Sequence, residues 1–214
     1  ESARFALDTI EPDIRLTWFY GQDTEPGRIT VPAGISVSCD GDDVSAWALD
    51  LGASIAASND EYDLPCPARW ETPRPGSDVL VLRHASPDRA VPTAGRVQLV
   101  AGLGGGELVA DGSADPAAPE SLHDLELRAY YVNQRSAFDA GQPSLHQLTL
   151  TRNGGAAVIE DEEVIAGVEN LQVQYGLDTN GDGNVDRYVE PDAVAPGAAT
   201  TIVAVRLWLL VGTP

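Results

Sequence analysis

The stretch Leu125-Glu126-Leu127-Arg128-Ala129-Tyr130-Tyr131-Val132 alternates cleanly between apolar and polar positions. Leu125, Leu127, Ala129 and Tyr131 fall on one side of an extended chain, with Glu126, Arg128 and Tyr130 on the other. A period of two is the mark of a β-strand with one buried face, because successive side chains point to opposite sides. Related runs lie around it. Residues 145–151 and 156–160 flank Arg152-Asn153-Gly154-Gly155, a turn sequence that tolerates the positive φ of a tight hairpin. Residues 96–101 and 107–111 flank Gly102-Leu103-Gly104-Gly105-Gly106. That too reads as a hairpin, since a phosphate-binding loop needs a following helix and a placed Lys or Ser/Thr. Residues 78–83 form a compact apolar run, and Leu171, Val173 and Tyr175 alternate with Gln172 and Gln174. Residues 201–211 are apolar on both sides, which predicts a strand buried on both faces in the middle of a sheet.

Ahead of the strands, residues 1–20 read as an amphipathic helix. Ala3, Leu7, Ile10, Ile14 and Trp18 recur at three- and four-residue steps and define a sheet-facing stripe. Pro12 interrupts the pattern and is expected to kink or divide the helix. Residues 21–76 are punctuated by glycine and proline, and 47–55 fit a short helix and a strand equally well. The expectation is an α+β fold, one helix on an antiparallel sheet, forming a single unit over residues 1–214.

Composition narrows the function. The chain carries 33 acidic residues against 13 basic ones, a formal net charge of -20, and every basic residue is arginine. Such a surface repels phosphate backbones and anionic lipid headgroups, so direct nucleic-acid binding is not expected. There is no methionine and the chain starts at Glu1, so a removed upstream segment is expected. Cys39 and Cys66 lie outside any CxxC spacing and far from histidine, which favours a structural disulfide over zinc or redox chemistry. Closing that loop would contribute roughly 3 kcal/mol in the chain-entropy model.

The most specific local motif is Asp178-Thr179-Asn180-Gly181-Asp182-Gly183-Asn184-Val185-Asp186. Asp178, Asn180, Asp182 and Asp186 supply side-chain oxygens at loop positions one, three, five and nine, and Asn184 offers its carbonyl. Alternate residues of a tight loop point inward, and glycine at position six allows the sharp turn, so the spacing suits a structural Ca2+. Position twelve is Val189 rather than glutamate and no helix pattern flanks the loop, so an EF-hand is not expected. A metal-free Asn-Gly/Asp-Gly turn is the competing reading, and Glu190 and Asp192 lie just beyond. His84, His123 and His146 fall in no catalytic signature, and Ser144 beside His146 reads as a chance pairing more readily than a dyad. No enzyme is expected.

Several segments together resemble the PilW family of type IV pilus minor pilins. They are Ser2-Ala3-Arg4-Phe5-Ala6-Leu7-Asp8, the Leu125 strand followed by Pro143-Ser144-Leu145-His146-Gln147-Leu148, the run from Glu163 to Gly176 leading into the Asp178 loop, and the ending Val203 to Val211. The resemblance implies a pilin-like fold. It also implies a leader and a hydrophobic membrane helix upstream, residues 1–20 being the second half of that helix. Leu7, Ile10, Ile14 and Trp18 would then face the sheet. The implied role is assembly with other minor pilins, the major pilin and a tip adhesin, from the periplasmic face of the inner membrane and then in the pilus. Two rivals are a minor pseudopilin of type II secretion and a secreted calcium-dependent binding module with exposed aromatics near the loop, for which Tyr175 and Tyr188 are candidates.

Overall fold

A computed structural model describes residues 1–22, 25–194 and 201–212. Among these residues two α-helices are seen, α1 (Ser2–Leu16) and the short α2 (Ser45–Ala48). The strands are β1 (Ile29–Thr30), β2 (Val37–Cys39), β3 (Asp42–Asp43), β4 (Ile55–Ser58), β5 (Val79–Ala85), β6 (Gln98–Gly102), β7 (Gly105–Val109), β8 (Ser121–Asn133), β9 (Ser144–Asn153), β10 (Ala156–Ala166), β11 (Val168–Leu177), β12 (Arg187–Val189) and β13 (Ile202–Val211).

The strand quoted at the outset, β8, organises the larger sheet. It pairs with β6 near its start, with β5 from Leu125 to Tyr130, and with β9 from Arg128 to Asn133, always antiparallel. The sheet runs β1-β7-β6-β8-β9-β10-β2-β3, with β4 attached to β5. Both hairpins form. Gly154 (φ +58°) and Gly155 (φ +86°) make the two-residue turn between β9 and β10, where both central residues need positive φ. The sheet is not wholly antiparallel, because β1 joins β7 and β2 joins β10 in parallel. Those partners are distant in sequence, so no hairpin signal announces them. The undecided stretch 47–55 resolves into the end of α2, a 3-10 turn and the start of β4.

Each face of β8 meets its own core. Leu125, Leu127, Ala129 and Tyr131 enter a cluster covered by Tyr20, Val37, Val44, Leu49, Leu51 and the bonded Cys39–Cys66 pair, whose Cα atoms are 5.7 Å apart. The irregular segment after the helix is therefore a lid on this face. Tyr130, expected on the polar face, is fully buried with Val132, Leu80 and Leu82 in the second core. The reason is a second layer, made by α1 and the sheet β12-β11-β13.

That second layer corrects two expectations. The apolar strand β13 is not central; its one partner among the described residues is β11. Val205, Leu207 and Leu209 pack on the second core, while Trp208 and Leu210 are 45% and 59% exposed. Only one face of a three-stranded sheet meets the core, and apolarity does not report whether a cover exists.

Helix α1 runs unbroken through Pro12, which sits on its exposed side, and ends at Leu16. Trp18 lies beyond it at φ +73° and, with Ile14, is partly buried against the second core. Ile10 is fully buried, but Leu7 is 40% exposed; Ala6 and Asp13 complete the buried line instead. The helix is rotated because Asp13 is a buried acceptor. Tyr130 Oη donates to its Oδ2 (2.5 Å), His84 Nε2 lies 3.3 Å from Oδ1, and Arg128 Nε lies 3.3 Å from Oδ2. A hydrophobic stripe cannot anticipate a carboxylate facing inward. Asp13→Ala leaves the buried Tyr130 hydroxyl with only the long contact to the Thr9 carbonyl (3.4 Å) and is expected to destabilise the fold by about 1–3 kcal/mol. A thermal melt checks this; an unchanged midpoint would remove Asp13 from the anchoring of α1.

Candidate functional site

The Asp178–Asp186 loop joins β11 to β12 and is closed at its base by Asp186 N–H donating to the Leu177 carbonyl (2.8 Å). Its side chains fold onto its own amides. Asp178 accepts from the amides of Asn180 (3.1 Å), Gly181 (2.7 Å) and Gly183 (2.7 Å). Asn180 Oδ1 accepts from Asp182 N–H (2.9 Å), and Asp182 Oδ1 from Asn184 N–H (2.8 Å). Asp186 Oδ2 accepts from both the amide (2.7 Å) and the hydroxyl (2.6 Å) of Thr179. Gly181 (φ +81°) and Gly183 (φ +83°) adopt the left-handed conformation that packs these turns together.

These donors favour the charged carboxylates. The Gly183 amide foremost, with those of Gly181 and Asn180, holds the Asp178 carboxyl below its ordinary value, and the Thr179 hydroxyl and amide do the same for Asp186. The loop thus presents ionised oxygen donors and no sulfur or imidazole, a hard donor set of the kind calcium takes. Among the described residues no three His, Cys, Asp or Glu side chains gather as a metal-holding group. Tyr175, one of the two candidate aromatics, is buried in the second core, whereas Tyr188 is 37% exposed.

The three histidines are all buried and hydrogen-bonded. His146 Nε2 lies 3.0 Å from Ser144 Oγ, and its Nδ1 lies 2.7 Å from Asp161 Oδ1. Serine, histidine and aspartate therefore stand in relay order, a contact that sequence spacing between β9 and β10 did not reveal. Ser144 and His146 are both fully buried, and Ser144 Oγ donates to the Arg135 carbonyl (2.7 Å). The same Ser-Leu-His tripeptide opens β8, where Ser121 Oγ lies 2.8 Å from His123 Nε2 and the other ring nitrogen meets the Ser86 carbonyl (2.8 Å). Repetition without an acid at the second copy fits a device for satisfying buried polar groups at a strand start.

The outward face of β12-β11-β13 was missed by the sequence reading. Cross-strand partners share a face, so Asn170, Gln172, Gln174 and Gly176 stand beside Leu210, Trp208, Arg206 and Ala204, with Tyr188 opposite Gly176. The Arg206 guanidinium lies 3.6 Å from the Tyr188 ring centroid and 5.6 Å from that of Trp208.

Against this geometry, residues 129–214 match the family model of PilW, type IV pilus-assembly protein W. The PilW resemblance holds over this segment. It takes in the last five residues of β8, the β9–β10 hairpin and the whole β12-β11-β13 sheet with its loop. The PilW-like segment therefore contains both the Asp178 loop and the Arg206 face, while α1 and the lid over the first core lie outside it. Neither the curated proteins nor the solved structures returned a match.

Proposed function

We propose that the chain is a non-catalytic structural subunit of a type IV pilus, a minor pilin that helps to prime assembly and contributes to the tip complex. The observation that carries this reading is the match of residues 129–214 to a pilus-assembly family. It is supported by an N-terminal helix that seals the second core through Ala6 and Ile10. In this reading the partners are other minor pilins, the major pilin and a tip adhesin, met at the periplasmic face of the inner membrane and then in the pilus. Among the described residues no helix is long and apolar enough to cross a membrane. Deleting the gene should strip the cell surface of most pili in electron micrographs, and the wild-type gene should restore them. Normal piliation in the deletion strain would refute the role.

Within that subunit the Asp178–Asp186 loop is proposed as a structural calcium site, with Asp178, Asn180, Asp182, Asn184 and Asp186 as the donors. A cation would offset carboxylates that the loop amides already hold ionised. Asp182 is the residue to change, because its carboxylate accepts one hydrogen bond where those of Asp178 and Asp186 accept three each. Calorimetry at neutral pH should show calcium uptake by wild type and none by Asp182→Ala. Calcium a hundredfold above its dissociation constant should raise the wild-type melting temperature by roughly 5–10 °C. The pH dependence follows from depressed carboxyl pKa values. The charged loop is retained above the ordinary aspartate value of 3.8 and lost as pH falls through the lowered one, so calcium uptake should fail only in acid. Melts unchanged by calcium or chelator at neutral pH would leave a metal-free turn.

A further inference from the structure

We infer that the outward face of the β12-β11-β13 sheet docks a neighbouring protein subunit through a carboxylate received by Arg206; the inference rests on the reading of the chain as a pilus subunit. Three observations converge on it. The first is charge. Arg4, Arg15, Arg28, Arg96 and Arg128 each lie within ion-pair distance of a carboxylate of their own chain. In a protein with 33 acidic residues, Arg206 is exposed and, like Arg74, Arg89, Arg135 and Arg187, pairs with none among the described residues; of these five it is the one that lies against two aromatic rings. Glu190, just after β12, accepts instead from Gln174 Nε2 (2.5 Å). Aromatic rings hold a guanidinium but accept none of its N–H bonds in plane, so its donors remain free for a planar anion.

The second observation is that the seat is built. A Cβ on Gly176 would stand 3.0 Å from Tyr188 Cε1 and 3.0 Å from the Ala204 methyl. The bare backbone at Gly176 therefore makes the space in which the Tyr188 ring lies across the sheet to reach Arg206. The third is the company Arg206 keeps. Trp208, Tyr188 and Leu210 are 45%, 37% and 59% exposed on the same strip. Trp, Tyr and Arg are the residues that dominate interface energetics, and a charge surrounded by apolar contact area gains strength when the partner excludes water. Two copies of a chain of charge -20 repel each other, so the occupant is a different subunit that presents a carboxylate flanked by apolar side chains.

The test uses purified chain with Arg206→Glu and Trp208→Ala, each checked for an unchanged melting temperature. The heads of the other assembly subunits of the same pilus are immobilised one at a time for surface plasmon resonance. Wild type is expected to bind at least one of them, and each variant to bind it roughly tenfold more weakly or worse. An acid-to-arginine change in that partner should recover Arg206→Glu. If Arg206→Glu does not fold, Arg206→Gln takes its place. Unchanged affinity in both variants overturns this surface and leaves the pilus reading standing. Failure of wild type to bind any subunit overturns the surface together with that reading. Dimerisation of the chain alone in sedimentation, abolished by Trp208→Ala, overturns the choice of occupant.

Discussion

Asp78→Ala is expected to lower stability by about 2–6 kcal/mol, because it strands two backbone amides at the junction of the two sheets. Strand β12 covers β11 only from Tyr175 to Leu177. Upstream on the same edge, Ser77 and Asp78 stand in for a strand. Asp78 N–H donates to the Leu171 carbonyl (2.9 Å), Ser77 Oγ accepts from Leu171 N–H (3.1 Å), and Asp78 Oδ2 accepts from Val173 N–H (2.7 Å). The other carboxylate oxygen accepts from Asp60 N–H (2.9 Å). Burial pushes the Asp78 carboxyl pKa up while these amides pull it down, so the residue is kept for its two acceptors rather than for its charge. Asp78→Asn retains one acceptor oxygen and should lose about half as much as Asp78→Ala. Denaturant unfolding of both variants checks the order; equal, small losses would show that the clamp does not bind the sheets together.

Loss of the Cys39–Cys66 bond is the second large effect, expected at about 2–5 kcal/mol. The two residues are 27 apart in sequence, and both are buried in the first core. Cys39 closes β2 at the far side of the large sheet, and Cys66 lies in the segment leading to β5. Few regular backbone ladders hold the chain between them, so the bond limits how far this lid can open in the unfolded ensemble. Thermal melts of Cys39→Ser/Cys66→Ser, and of wild type in reductant, should fall together. A reduced protein that melts where the oxidised one does would show that packing alone holds the lid.

Local pattern carried much of the fold. Alternation at residues 125–132 placed β8, glycine-bearing turns placed both hairpins, and apolar spacing placed a helix over the first residues. It went astray where a distant layer intervened. Tyr130 looked solvent-facing because its neighbours Glu126 and Arg128 are charged, yet those charges are used by Asp13, Arg96 and Arg128 at the helix contact. Leu7 looked sheet-facing because a periodicity of apolar residues cannot rank leucine below an aspartate that has a tyrosine donor waiting for it.

What the sequence by itself determined is the set of parts: strands and their turns, the amphipathic helix, a cysteine pair of suitable context, and a loop of regularly spaced oxygen donors. These are short-range properties, since period, turn chemistry and ligand spacing are written in neighbouring residues. Only the tertiary structure decided how the parts face one another. It turned α1 to bury Asp13, brought Ser144, His146 and Asp161 into line, and left β13 open on one side with Arg206 between two rings. Burial is a property of layers assembled from segments far apart in the chain, and a strand carries no local record of whether its second face will be covered.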